Sequence, residues 1–186
     1  MEEAVRSDEV TADDELTDGP LAAGTQTLVR TPADADPVSA LPDRAFDNLL
    51  VVSARDHPNR LQTRLERAGH DPANVGVVPV VPATDEYEGD LWTTDPVNPD
   101  DLTGLAMRFS DAMQYVEPGR GWVLTDALGV LLTYTEDARV SRFFQTLTSR
   151  VRTQDVRGVY CANPDVIADE TYGRLRAMCD AEHELG

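Results

Sequence analysis

The sequence predicts an α/β domain of three layers, α/β/α, built around a mainly parallel sheet. Two observations lead there. Short apolar runs of strand length alternate along the chain with segments whose apolar residues recur at helical spacing, which is the signature of βαβ units. The runs are also apolar at consecutive positions instead of every second one, as strands covered on both faces require.

Five runs read as strands. The first is Thr25–Val29, followed by a loop holding Pro32, Pro37 and Pro42. Asn48–Ser53 is the second, Val75–Val80 the third, Gly121–Thr125 the fourth and Val156–Cys161 the fifth. Between the second and third, Pro58 suits the first position of a helix that carries Leu61, Leu65 and Ala68 and stops before Gly69. A polar loop runs from Pro82 to Asn98, and Pro99 is read as opening a helix that ends at Glu117-Pro118-Gly119. After an apolar turn from Ala127 to Tyr134, a helix from about Asp137 to Thr153 presents Val140, Phe143, Phe144, Leu147 and Val151. Pro164 leads into a last helix containing Leu175 and Met178. The domain spans residues 21–186; residues 1–20 are rich in Asp, Glu, Thr and Ala and are expected to form a disordered acidic tail.

The charge narrows the function. Asp and Glu total 34 against 16 basic residues, a net charge of -18, and every basic residue is Arg. Such a chain repels itself at low salt, whereas at molar salt the Debye length falls to about 3 Å and the repulsion fades. This composition resembles that of proteins from extremely halophilic archaea, and a cytoplasmic protein of such an organism is the expectation. Without a basic stripe, little is gained from counterion release, so nucleic acid is not an expected partner. No apolar stretch is long enough for a bilayer span, so neither is a membrane. The two cysteines, Cys161 and Cys179, lack metal-ligand spacing and read as reduced core thiols.

Three segments together resemble the KaiC/RecA-like ATPases, a branch of the P-loop NTPases. Leu50-Val51-Val52-Ser53-Ala54-Arg55-Asp56-His57-Pro58 with Leu61 to Gly69 looks like that family's second strand and helix. Trp122-Val123-Leu124-Thr125-Asp126-Ala127-Leu128-Gly129-Val130-Leu131-Leu132 looks like its Walker B strand and the apolar turn after it. Val140–Arg152, Gly158-Val159-Tyr160 and Met178–Leu185 continue the family's order. The resemblance implies the fold; the residues that would do the chemistry depart from it. Where a Walker A loop would offer Gly N–H groups and a Lys to phosphate, residues 28–37 contain neither Gly nor Lys; Pro32 and Pro37 remove two donors, and Asp34 and Asp36 would repel a triphosphate. Where the family has an acidic pair after the second strand, this chain has Arg55 then Asp56, and Arg stays protonated and cannot serve as a general base. Asp56 is expected to cap the helix opened at Pro58. Asp126 stands at the Walker B position, as a weak magnesium candidate or, preferentially, as a hydrogen-bond acceptor at the strand end.

Other constellations carry less. Ser53, Asp56 and His57 are too close in sequence for a triad and lack an oxyanion motif. His57, His70 and His183 are dispersed and expected in solvent. Asp85–Asp90 lacks the spacing of a calcium loop, and Trp92 beside it reads as a partner contact or as cover for the sheet edge. The absence of Lys excludes the phosphotransfer of a receiver domain, the main rival fold. The expectation is therefore a non-catalytic regulatory or scaffolding protein, without cofactor, that binds a protein partner or itself. The alternative is a nucleotide or small-ligand sensor whose pocket at the carboxyl ends of the strands is lined by Arg30, Arg55 and Asp126.

Overall fold

The computed structural model describes residues 21–81 and 86–185, so the acidic tail expected over residues 1–20 lies outside the described residues. Seven strands form one sheet: β1 (Gln26–Arg30), β2 (Leu49–Ser53), β3 (Val75–Pro79), β4 (Trp92–Thr93), β5 (Trp122–Thr125), β6 (Arg157–Ala162) and β7 (Ala181–Glu184), in the order β4-β3-β2-β5-β6-β1-β7. Every pairing among the described residues is parallel. Parallel neighbours need crossovers, and the helices supply them: α1 (Pro58–Arg67), α2 (Leu102–Met113), α3 (Leu128–Tyr134), α4 (Asp137–Thr153) and α5 (Asp169–Ala177).

The consecutive apolar runs resolve into two cores. Leu49, Val51, Val77, Trp122, Leu124 and Val159 face α1 and the segment carrying Leu41, Ala45 and Phe46. Their alternates Leu50, Val52, Val78, Val123 and Tyr160 face α2 to α5, against Leu105, Phe109, Phe144, Val151 and Leu175. This is the three-layer α/β/α arrangement, and a period of two read on both sides explains why the strands look apolar throughout. Leu61 and Leu65 of α1 are both 1 % exposed, so truncating either to Ala would cost about 2–5 kcal/mol.

The ends of α1 follow from its sequence. Gly69 adopts φ +82°, and the N–H groups of Gly69 and His70 donate to the carbonyls of Glu66 and Leu65 at 3.1 and 2.9 Å. That is a Schellman closure, which glycine's freedom at positive φ permits. At the other end the expected cap is corrected: His57, not Asp56, caps the helix, its Nδ1 accepting from the Asn59 N–H at 3.2 Å. Asp56 is drawn away into an ion pair with Arg64.

Other expectations change at the edges. β4 and β7 add two strands to the five read from the sequence, α3 replaces an apolar turn, and α2 starts at Leu102 with Asp101 as its cap instead of at Pro99, ending at Met113. α5 starts at Asp169 and ends before Met178. Trp92 lies half-buried on β4, over Gly76 and against Tyr115 with ring centroids 4.8 Å apart. A Cβ at Gly76 would meet the Trp92 ring at 3.2 Å, so a residue without one lets the edge strand close. The histidines are half-buried, not solvent-exposed: His57 serves as a cap, His70 stacks on Phe46 at 3.8 Å, and His183 sits within β7.

Candidate functional site

Sheets of this kind bind ligands beyond the carboxyl ends of their strands, at the point where the strand order reverses. Here the chain runs outward from β2 to β3 and β4, then returns to β5 on the other side of β2. The crevice between the carboxyl ends of β2 and β5 is that point, and Ser53 and Asp126 stand on its two lips.

The two lips are joined. Asp126 accepts from the Ala54 N–H at 2.9 Å through Oδ1 and from the Ser53 hydroxyl at 3.0 Å through Oδ2. Ser53, 1 % exposed, also accepts from the N–H groups of Arg55 and Asp56, each at 3.2 Å. Its single proton and both lone pairs are therefore committed. Burial pushes the Asp126 carboxyl above the ordinary carboxylate range; the bonds from Ala54 and Ser53 and the charge of Arg55 pull it down, while Asp56 adds to the rise.

Arg55 itself reaches the loop after β1. Its guanidinium donates to the carbonyls of Ala35 at 3.0 Å and Ala33 at 3.1 Å. Within that loop the Thr31 N–H continues the ladder to Ala162, the Ala35 N–H closes a turn on Pro32, and the Val38 N–H is taken by the Asp36 carboxylate. Asp36 and Asp56 both pair with Arg64 of α1. Burial lowers the Arg64 guanidinium, with the charge of Asp126 opposing. Three loops are thus pinned to one another by carboxylate, hydroxyl and guanidinium groups. A phosphate site presents converging N–H donors; this loop presents the carbonyls of Ala33 and Ala35 to the Arg55 guanidinium instead.

Of the three candidate residues, Arg55 and Asp126 share the crevice. Arg30 does not join them: one strand parity with Leu28 sends it to the other face, where its guanidinium lies 5.8 Å from the centre of the Tyr172 ring of α5. Tyr172 in turn donates to Glu182 of β7 at 2.8 Å. Ser53, set aside as a nucleophile on sequence spacing, proves to be the bridging residue; the signal for it would have been strand adjacency, which no local pattern carries. His57 faces Asn59, so the three do not form a triad. No group of three or more His, Cys, Asp or Glu suited to a metal occurs among the described residues, and none of the described helices is long and apolar enough to cross a membrane. Cys161 and Cys179 are buried and free.

Residues 24–185 match the model of a family described as a family of unknown function (DUF7504). The chain belongs to that family. Among curated proteins none matches. Among solved structures it is similar to the KaiC-like protein PH0186 from the hyperthermophilic archaeon Pyrococcus horikoshii OT3, with a TM-score of 0.64 and 12 % identity over 93 % of this chain and 78 % of that one. At that identity the likeness establishes the fold, which is KaiC/RecA-like, and leaves the chemistry to be argued from the residues.

Proposed function

We propose that this member of the DUF7504 family is a non-catalytic regulatory or scaffolding protein, which uses a degenerate KaiC/RecA-like domain to bind another protein. The observation that best supports this reading is the closure of the crevice by the chain's own groups. Both oxygens of Asp126 hold donors from β2, and Arg55 occupies the carbonyls of the loop after β1. A P-loop ATPase needs an N–H cradle with a Lys for the phosphates, and one carboxylate without phosphates to share is a poor magnesium site. Bringing a triphosphate here would mean breaking these bonds and facing Asp34 and Asp36.

A second reading, a sensor of a nucleotide or small ligand, is favoured by one observation: Asp126 sits at the reversal of strand order with its carboxyl shifted upwards, and shifted carboxyls concentrate at binding sites. Calorimetry with ATP and magnesium in molar KCl separates the two. The scaffolding reading expects no heat at millimolar nucleotide. Micromolar binding that disappears in Asp126→Ala would overturn it in favour of the sensor.

A further inference from the structure

The outer seam between α2 and α4 carries exposed arginines without carboxylate partners among the described residues. With 34 acidic side chains to 16 arginines, each guanidinium has on average two carboxylates to choose from. α4 nevertheless holds four arginines and one acidic residue, Asp137. Arg152 pairs with Asp180 at 3.4 Å. Arg139, Arg142 and Arg150, all exposed, have no carboxylate within ion-pair distance among the described residues. Arg142 reaches only the Ala138 carbonyl at 3.5 Å, and Arg150 bonds the Ser110 hydroxyl at 2.6 Å.

These arginines flank apolar ground. A groove of about 420 Å³ lies between the helices, with Ala106 and the half-buried ring of Phe143 between Thr103 and Thr146, and with Arg139 and Arg142 on its wall. Beyond it α4 continues as a shallow, open surface of polar side chains at Ser149, Arg150 and Thr153. Positions 139, 142, 143, 146, 149, 150 and 153 recur at helical spacing, so they form one stripe. At 1.5 Å per residue it is about 21 Å long, the length of a helix of about 14 residues. Met107, next to Ala106 on α2, is 61 % exposed.

The geometry points to this stripe as the docking track for an acidic amphipathic helix of a different protein. The inference rests on the scaffolding reading and names the chemistry of its partner. Apolar side chains of that helix would fill the groove over Phe143 and Ala106, and its flanking carboxylates would meet Arg139, Arg142 and Arg150. Arginine forks take carboxylates bidentately, and such contact pairs are the electrostatic interactions that survive a Debye length of about 3 Å in molar salt. A polyanion such as nucleic acid fits less well, because the floor at Phe143 and Ala106 is apolar and offers nothing to a sugar-phosphate backbone. Among the described residues a second copy offers no net-acidic helix: α1 and α4 are net basic, α2 and α5 carry as many arginines as carboxylates, and α3 is uncharged.

Fluorescence anisotropy on the full chain in molar KCl tests this. The probe is a labelled synthetic helix with leucines along one ridge and glutamates elsewhere. Saturable binding is expected. It should weaken at least about tenfold in the double variant Arg139→Glu, Arg142→Glu, whose circular dichroism verifies the fold, and recover when the probe's glutamates are exchanged for lysines. No saturable binding, equal binding by the double variant, or equal binding of a scrambled probe would overturn the inference. Preference for single-stranded DNA, or a dimer that the double variant dissolves, would overturn it as well. Nucleotide binding is read separately in the calorimeter, so a failed track and a failed scaffolding reading give different results.

Discussion

Replacing Ser53 by Ala removes the bolt between β2 and β5 while leaving both apolar cores untouched. Ser53 is 1 % exposed, so its removal recovers the burial cost of one hydroxyl, while its buried partners keep theirs and lose a bond. What disappears is one bond to a carboxylate, Ser53 Oγ to Asp126 Oδ2 at 3.0 Å, and an acceptor for the N–H groups of Arg55 and Asp56 at 3.2 Å. A hydrogen bond to a charged group contributes about 1.5–3 kcal/mol. The two N–H contacts are long and partly reached by water, and add little. We expect a loss of about 2–3 kcal/mol in all, which in a domain of this size lowers Tm by about 4–12 °C. Thermal unfolding in molar KCl with EDTA reads this directly, and the chelator removes any contribution from a metal at Asp126.

The same variant has a pH signature whose sign can be worked out. The Ser53 hydroxyl favours the ionised Asp126, so without it the carboxyl, already raised by burial, rises further. The advantage of the wild type over Ser53→Ala is therefore full above the higher Asp126 pKa of the variant and shrinks as pH falls from there through the wild-type pKa. In an Asp126→Ala background the Ser53→Ala change should cost less, since the two act as one contact. A Ser53→Ala protein with unchanged Tm at neutral pH, or a deficit that grows on acidification, would refute the argument that this pair bolts the crevice.

Two further outcomes test the surroundings of the pair. Burial pushes the thiols of Cys161 and Cys179 up to about 12, so a thiol reagent at neutral pH should label neither until the chain unfolds; labelling of the folded protein at the rate of a free cysteine would show that the core around β6 and α5 opens. Arg55→Ala frees the carbonyls of Ala33 and Ala35, and we expect faster amide hydrogen exchange over residues 31–37 with little change in Tm; unaltered exchange would mean that something other than Arg55 holds that loop.

The strand bodies were legible because burial on both faces leaves a run such as Leu49-Leu50-Val51-Val52 with no polar interruption. β7 reads Ala-Glu-His-Glu, a half-covered edge strand without that signal, and β4 has only two residues. α3, with seven residues, is too short for helical spacing to stand apart from an apolar run. Arg30 could have been removed from the crevice by parity, since it shares a face with Leu28. The Ser53–Asp126 bond could not have been read: the two lie 73 positions apart, and only the neighbouring of β2 and β5 brings them together. The unpaired arginines of α4 were equally hidden, because which carboxylates lie within reach is a property of the packed surface.

The sheet and the polar groups of the crevice draw on different parts of the molecule. Leu50, Val52, Val123, Leu124, Val159 and Tyr160, all 2 % exposed or less, hold the sheet between its helix layers, and none lies in the crevice. The polar groups of the crevice occupy the strand ends and the loops beyond them, where substitution leaves the ladder intact. They need partners, because a buried carboxylate or hydroxyl without one costs about 1–3 kcal/mol or more. In this chain they find each other: Ser53 with Asp126, Arg55 with the carbonyls of Ala33 and Ala35, Arg64 with Asp36 and Asp56. These contacts tie the loops after β1, β2 and β5 to one another. The outer faces carry a pattern of their own: on the α2–α4 seam Arg139, Arg142 and Arg150 have no carboxylate within ion-pair distance among the described residues.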